Sequence, residues 1–146
     1  MTTREATAAS GPVVEPTAHG ARALATSYWR EVEATTRGLV RVTPGDGRVD
    51  VRLLKRGPTL IELGPPAVVA GTERVTCTYP IVGGLLVGRP GGVLTLEQVG
   101  NDAVVLRSTL TEYSPRLAGA IYSRVQARLH SLISHRFFAR LIREAA

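Results

Sequence analysis

From Pro115 to Ala146 apolar residues return at helical spacing, and no other feature so limits what the chain can fold into. Leu117, Ile121, Val125, Leu129, Leu132, Phe137 and Leu141 recur mostly at steps of three or four, the spacing of a single helix face. Arg124, Arg128, His135, Arg136, Arg140 and Arg143 fall largely elsewhere around the wheel. Pro115 suits a first helical turn, where its missing N–H costs nothing, and Ser114 before it suits an N-cap. A helix with one apolar face needs an apolar surface to cover it. The residues upstream supply that surface in strand form.

Between Gly38 and Tyr113 the period is two. In Arg48–Leu53, Val49, Val51 and Leu53 alternate with Arg48, Asp50 and Arg52, the pattern of a half-buried strand. Pro44-Gly45-Asp46-Gly47 joins it to a strand over Leu39–Thr43, since Asp-Gly is a strong hairpin signal. Further strands are expected at Thr59–Leu63, Glu73–Ile81, Val93–Val99 and Ala103–Thr111, the last two joined tightly through Gly100-Asn101-Asp102. Gly64-Pro65-Pro66, Gly83-Gly84 and the glycines around Pro90 mark turns or bulges that let a sheet bend. Hairpins without crossover helices mean an antiparallel sheet, here of about six or seven strands. A first helix is expected from about His19 to Thr36, with Leu24, Tyr28 and Val32 on one side and Gly38 as its stop.

The fold class is therefore α+β, a curved antiparallel sheet packed on a long C-terminal helix. Residues 1–17, small, polar and proline-containing, read as a flexible arm, and residues 18–146 as one domain. A chain of 146 residues with a hydrophobic fraction of 44% is large enough to bury a core without staples. Cys77, the single cysteine, has no internal partner for a disulfide, and the first residues carry no apolar run, so a cytoplasmic setting is expected. The net charge of +6 is concentrated at one end. Residues 1–113 carry 12 basic and 11 acidic side chains, whereas residues 114–146 carry six arginines and only Glu144.

The order of helix, antiparallel strands and long closing helix over residues 19–145 resembles the helix-grip superfamily of Bet v 1-like and START-type proteins, which includes polyketide cyclases. The resemblance implies a cavity between sheet and C-terminal helix that takes a small hydrophobic molecule, in a carrier or a cyclase-like enzyme. It implies no cofactor. Such folds usually begin with a strand, and Gly11–Glu15 reads as a poor one.

No motif assigns a reaction. The glycine pairs match neither a P-loop nor a dinucleotide fingerprint. His130 and His135, five apart on a helix, point in different directions and have no carboxylate beside them, so no metal site is expected and both read as rim or surface residues. Cys77 alternates with Val75 and Tyr79 and reads as a small buried hydrophobe. Glu62 and Glu97 interrupt apolar strands. An inward carboxylate would have a raised pKa and serve as acid or base, whereas an outward one would pair with an arginine such as Arg107 or Arg52. The outward reading is favoured for Glu97; Glu62, sharing a side with Leu60, is left open.

The candidate catalytic residues are thus Glu62 and Tyr79. Gln98 and Ser108 fall in register with Cys77, Leu96 and Leu106, a mostly apolar face with a few fixed polar groups, as a ligand site requires. With Tyr28 on the first helix and Tyr122 on the last, the candidate ligand-binding set is Tyr28, Cys77, Gln98, Ser108 and Tyr122. Two other partner classes compete. The basic helix could meet an anionic surface, but its apolar face is the one the sheet needs, so a membrane surface is not favoured. Nucleic acid is disfavoured because only Phe137 and Phe138 are near for stacking. Finally, a homodimer could form through the C-terminal helix, with one of these two phenylalanines exposed as its anchor.

Overall fold

The computed structural model describes residues 2–44, 47–111, 114–115 and 120–145, with the side chains of 44, 114–115 and 120–123 outside that description. Strand β1 (Thr3–Ala9) precedes helix α1 (Ala18–Thr35). Strands β2 (Val40–Pro44), β3 (Val49–Leu53), β4 (Thr59–Leu63), β5 (Ala67–Ala70), β6 (Arg74–Gly83), β7 (Val87–Arg89), β8 (Val93–Gly100), β9 (Val104–Thr111) and the two-residue β10 (Ser114–Pro115) lead to helix α2 (Ala120–Ala145). The main sheet follows the order β1-β9-β8-β6-β4-β3-β2, seven strands in one path, and β5 pairs with β6 as an eighth. Every pairing in it is antiparallel. The α+β architecture of curved sheet and long C-terminal helix is the one the sequence pattern implies.

The first seventeen residues depart from expectation. Residues 3–9 are no flexible arm; they form the edge strand of the sheet, registered on β9 from Thr3 opposite Leu110 to Ala9 opposite Val104. The stretch Thr-Arg-Glu-Ala-Thr-Ala-Ala has no apolar alternation, because its hold is the backbone ladder that the open edge of β9 offers. The chain then crosses to α1 past Gln98. This buried side chain accepts from the N–H groups of Val13 (2.7 Å) and Val14 (3.2 Å) and donates to the Val14 carbonyl (3.2 Å).

Helix α1 starts where Thr17 caps the Gly20 N–H at 3.1 Å. Its end is a Schellman motif: Gly38 N–H bonds the Glu33 carbonyl, Arg37 N–H bonds that of Ala34, and Arg37 itself takes the left-handed φ of 54°. Ala21, Leu24, Ala25, Tyr28 and Val32 make its buried stripe. They meet the inward row of the sheet, which includes Val51, Leu63, Val75, Cys77, Ile81, Leu96 and Leu106. Bends come at shifts of register beside Val51 and Glu62. Gly84 permits the turn after β6, with φ +118°, and a Cβ there would lie 2.4 Å from the Leu60 carbonyl oxygen.

Helix α2 lies against α1 and β1. It starts later than expected, since Ser114 and Pro115 pair with β7 instead of capping it. Its buried face is also rotated from the expected one. His130, Ile133, Ser134, Phe137, Phe138 and Leu141 are buried, while Val125, Leu129 and Leu132 are exposed. Arg140 donates in a close ion pair to Glu31 of α1, and His135 Nε2 lies 3.1 Å from the Glu5 carboxylate on β1. These polar ties decide which side of the helix turns inward.

Replacing Gln98 by Leu strips two backbone N–H groups of their acceptor, and the expected loss of stability is about 2–4 kcal/mol. Denaturant unfolding measures it. Because Gln98 does not line the cavity described below, ligand affinity should stay unchanged while stability falls.

Candidate functional site

The C-terminal half of α1, the N-terminal half of α2 and the inner sheet face do not close completely on one another. They leave a cavity of about 170 Å³. Its wall is aliphatic and aromatic: Trp29 and Val32 from α1, Val51, Ile61 and Leu63 from β3 and β4, Ile81 and Leu94 from β6 and β8, and Leu129 and Ile133 from α2. Among the described residues, only Tyr28, Thr36, Gln126 and His130 bring polar side-chain groups other than the Trp29 indole N–H. Few polar groups on an apolar wall is the make-up of a small-molecule site.

Each polar group has its position for a physical reason. Tyr28 stands on the buried stripe of α1, its ring edge-on to Trp29 (5.2 Å between centroids) and to Phe137 (5.5 Å). Burial pushes its phenol far up, the neighbouring Ser108 hydroxyl offsetting only part of this, so the group stays protonated and serves as a donor. His130 sits one turn from Ser134 and two from Phe137, on the inward track of α2. Its Nε2 is 3.4 Å from the Ser108 carbonyl oxygen, which fits a tautomer with the proton on Nε2. Burial holds its pKa below the ordinary value, with the Ser108 carbonyl and then Glu5 opposing, and the ring is neutral at neutral pH. Gln126 presents a buried Oε1 that has no hydrogen-bond partner among the described residues. A buried acceptor without a donor is costly.

The expected site residues separate into three groups. Tyr28 lines the cavity. Ser108 lies behind it, fully buried, touching Tyr28 and His130 as described. Cys77 and Tyr79 are buried in the core, where burial raises both the thiol and the phenol; Tyr79 packs edge-on against Trp29 at 5.4 Å and does not line the wall. Gln98 is a brace for residues 13–14, not a ligand contact. Tyr122 has its side chain outside the described residues.

Glu62 does not enter the cavity. In register opposite Asp50, it points away from the core and accepts from Arg48 at 2.8 Å. Ile61 and Leu63 alternate with it and face inward, and the register shift between β3 and β4 leaves Leu60 unpaired, so Leu60 lines the cavity without carrying Glu62 in with it. Glu97, on the outer face, pairs with Arg107 at 3.1 Å and Arg74 at 3.9 Å. His130, read as a rim or surface residue, is buried, and Gln126 went unread, because the most apolar track of the helix, through Val125, Leu129 and Leu132, masked the mixed track. The spacing of His130, Ser134, Phe137 and Leu141 was the signal for it. Among the described residues, no group of three His, Cys, Asp or Glu side chains is placed to hold a metal.

No protein-family model matches the sequence, and no curated protein matches it. Among solved structures, the chain is similar to an uncharacterised protein from Bacillus thuringiensis at 12% identity and a TM-score of 0.49, over 94% of this chain and 99% of that one. It is similar to a point mutant of norcoclaurine synthase from Thalictrum flavum, in complex with a transition-state analogue, at 15% identity and a TM-score of 0.44, over 93% and 96% of the two chains. It is also similar to an aromatase/cyclase from a Streptomyces species at 11% identity and a TM-score of 0.40, over 99% and 90%.

Proposed function

We propose that the chain binds a small hydrophobic molecule carrying one hydrogen-bond donor, in the cavity between α1, α2 and the sheet. The observation that carries this reading is the Gln126 Oε1, buried without a partner among the described residues on the wall of a mostly apolar cavity. A ligand hydroxyl or N–H there would relieve the cost of the bare acceptor. Size narrows the ligand further. An apolar cavity of about 150 Å³ accommodates benzene, so one of about 170 Å³ matches a substituted single ring or a short branched chain.

A carrier needs nothing more. A second reading, an enzyme of proton transfer as in cyclase-like chemistry, is favoured by one specific observation. Tyr28 and His130 are the only titratable side chains lining the cavity among the described residues, one held protonated and the other neutral. They form a donor and a base in one apolar space. In this reading the roles first considered for Glu62 and Tyr79 pass to His130 and Tyr28.

Calorimetric titration with phenol and toluene tests the binding reading. Phenol should bind about tenfold more tightly, and Gln126→Leu should abolish that preference. Ile133→Trp should fill the cavity and remove both affinities. Equal binding of the two probes by the unaltered protein, or affinity untouched by Ile133→Trp, overturns the reading.

Acidity gives an independent handle. His130 has a folded pKa below its unfolded one, so the unfolded chain binds the proton more readily. The stability this contributes is complete above pH of about 6.5 and is lost as pH falls through the folded pKa. Melting temperature and phenol affinity should both drop over that window, and His130→Gln should flatten the affinity curve. Should the pocket also turn over a ligand, His130→Gln would abolish turnover while leaving the binding of that ligand largely intact.

A further inference from the structure

The antiparallel order brings four segments to one end of the molecule: the exit of α1 into β2, the β3–β4 turn, the β6–β8 connection and the first turns of α2. The cavity opens among them, since Thr36, Val40, Leu60, Leu86, Gln126 and Leu129 line it from those segments. This end is unusually apolar for a surface. Leu39 is 61% exposed, Leu54 52%, Leu85 53%, Val125 59% and Leu132 46%. The Leu54 N–H bonds the Leu39 carbonyl, and the Leu85 N–H bonds that of Thr59, so these side chains stand on pinned backbone. Large exposed aliphatic groups gathered around one opening mark a contact surface.

Charge says which kind. Residues 36–41, 53–60, 84–92 and 120–132 contain no Asp or Glu. Their exposed cations are Arg37, Arg41, Lys55, Arg56, Arg89, Arg124 and Arg128, and all but Arg41 are without an ion pair among the described residues. Glu33, at the last turn of α1, is taken up by Arg41 and the Val42 N–H. Glu112, which the sequence places near this end, lies outside the described residues. The exposed acidic residues Glu15, Glu73, Asp102 and Glu144 sit at the opposite end. The molecule therefore has a cationic, leucine-bearing pole around its cavity mouth and acidic residues at the far pole. Aliphatic side chains that enter a hydrocarbon layer, ringed by arginines and lysine at headgroup level, are the chemistry of an interfacial membrane contact. The sheet does not use this apolar surface of α2, because the helix buries a different face.

We propose that the cavity-mouth end docks on the surface of an anionic lipid bilayer, with Leu54 and Leu85 entering it and Arg124 and Arg128 contacting headgroups. No bound ligand is required for this contact. The test is co-sedimentation of the full chain with vesicles of phosphatidylcholine alone and of phosphatidylcholine mixed with phosphatidylglycerol. Binding should be at least about tenfold tighter to the mixed vesicles and should weaken in high salt. Leu54→Ser with Leu85→Ser, and separately Arg124→Gln with Arg128→Gln, should each weaken it about tenfold without lowering the melting temperature, since all four side chains are exposed. Val69→Ser, an exposed aliphatic residue remote from the mouth, should leave it unchanged. The cavity-filled Ile133→Trp protein should still dock, which separates this inference from the ligand reading. Equal binding to neutral vesicles, no binding to either, or anionic binding indifferent to the two leucines would each overturn the proposal. Capture by an acidic polypeptide without vesicle binding would overturn it in favour of a protein partner.

Discussion

A run of aromatic rings from sheet to C-terminal helix is the contact on which the rest of the structure depends. Tyr79 on β6 meets Trp29, Trp29 meets Tyr28, Tyr28 meets Phe137, and Phe137 meets Phe138, each pair with centroids between 5.2 and 5.5 Å. Three of the four contacts are edge-on, the arrangement that ring quadrupoles prefer. The chain has seven Phe, Trp and Tyr residues, and five of them are in this run. With so few rings, concentrating them at one junction fixes how α1 sits between the sheet and α2. The cavity exists because these bulky contacts hold the helices off the sheet beside them. Tyr28 and Trp29 are accordingly both struts of the junction and part of the cavity wall.

Polar contacts then set orientation. The ion pair of Arg140 with Glu31 and the approach of His135 to Glu5 fix the rotation of α2. That rotation puts His130 and Gln126 on the cavity and leaves Val125 and Leu132 toward solvent. A partly buried ion pair contributes little net stability, because desolvation offsets the attraction. Its effect here is on orientation, favouring the mixed face of the helix over the more apolar track. One rotation thereby defines both the polar equipment of the cavity and the character of the mouth.

Much of the architecture was legible in local pattern. Val49, Val51 and Leu53 announced a strand, Gly38 the end of α1, and the register of Cys77, Leu96 and Ser108 the inner face, because period and turn chemistry act over a few residues. The site was less legible. Tyr28 lines the cavity, but Gln98 serves the N-terminal crossing, and Cys77 and Tyr79 the core. Glu62 stayed open for a local reason: it shares a side with Leu60 only while the alternation is unbroken, and the bulge at Leu60 moves that residue to the other face.

What the sequence alone determined is the inventory: two amphipathic helices, hairpin-linked strands, and a last helix rich in arginine with one acidic residue. Those properties follow from neighbours in the chain, and the physics that reads them is short-ranged. Only the tertiary structure decided that Thr3–Ala9 closes the edge of the sheet, since a backbone ladder needs a partner strand and no side-chain pattern. It also decided which face of α2 is buried, since apolar periodicity offered one track and contacts with Glu31, Glu5 and Tyr28 selected another. A cavity and its opening are relations among distant segments, and they come into being only when those segments pack.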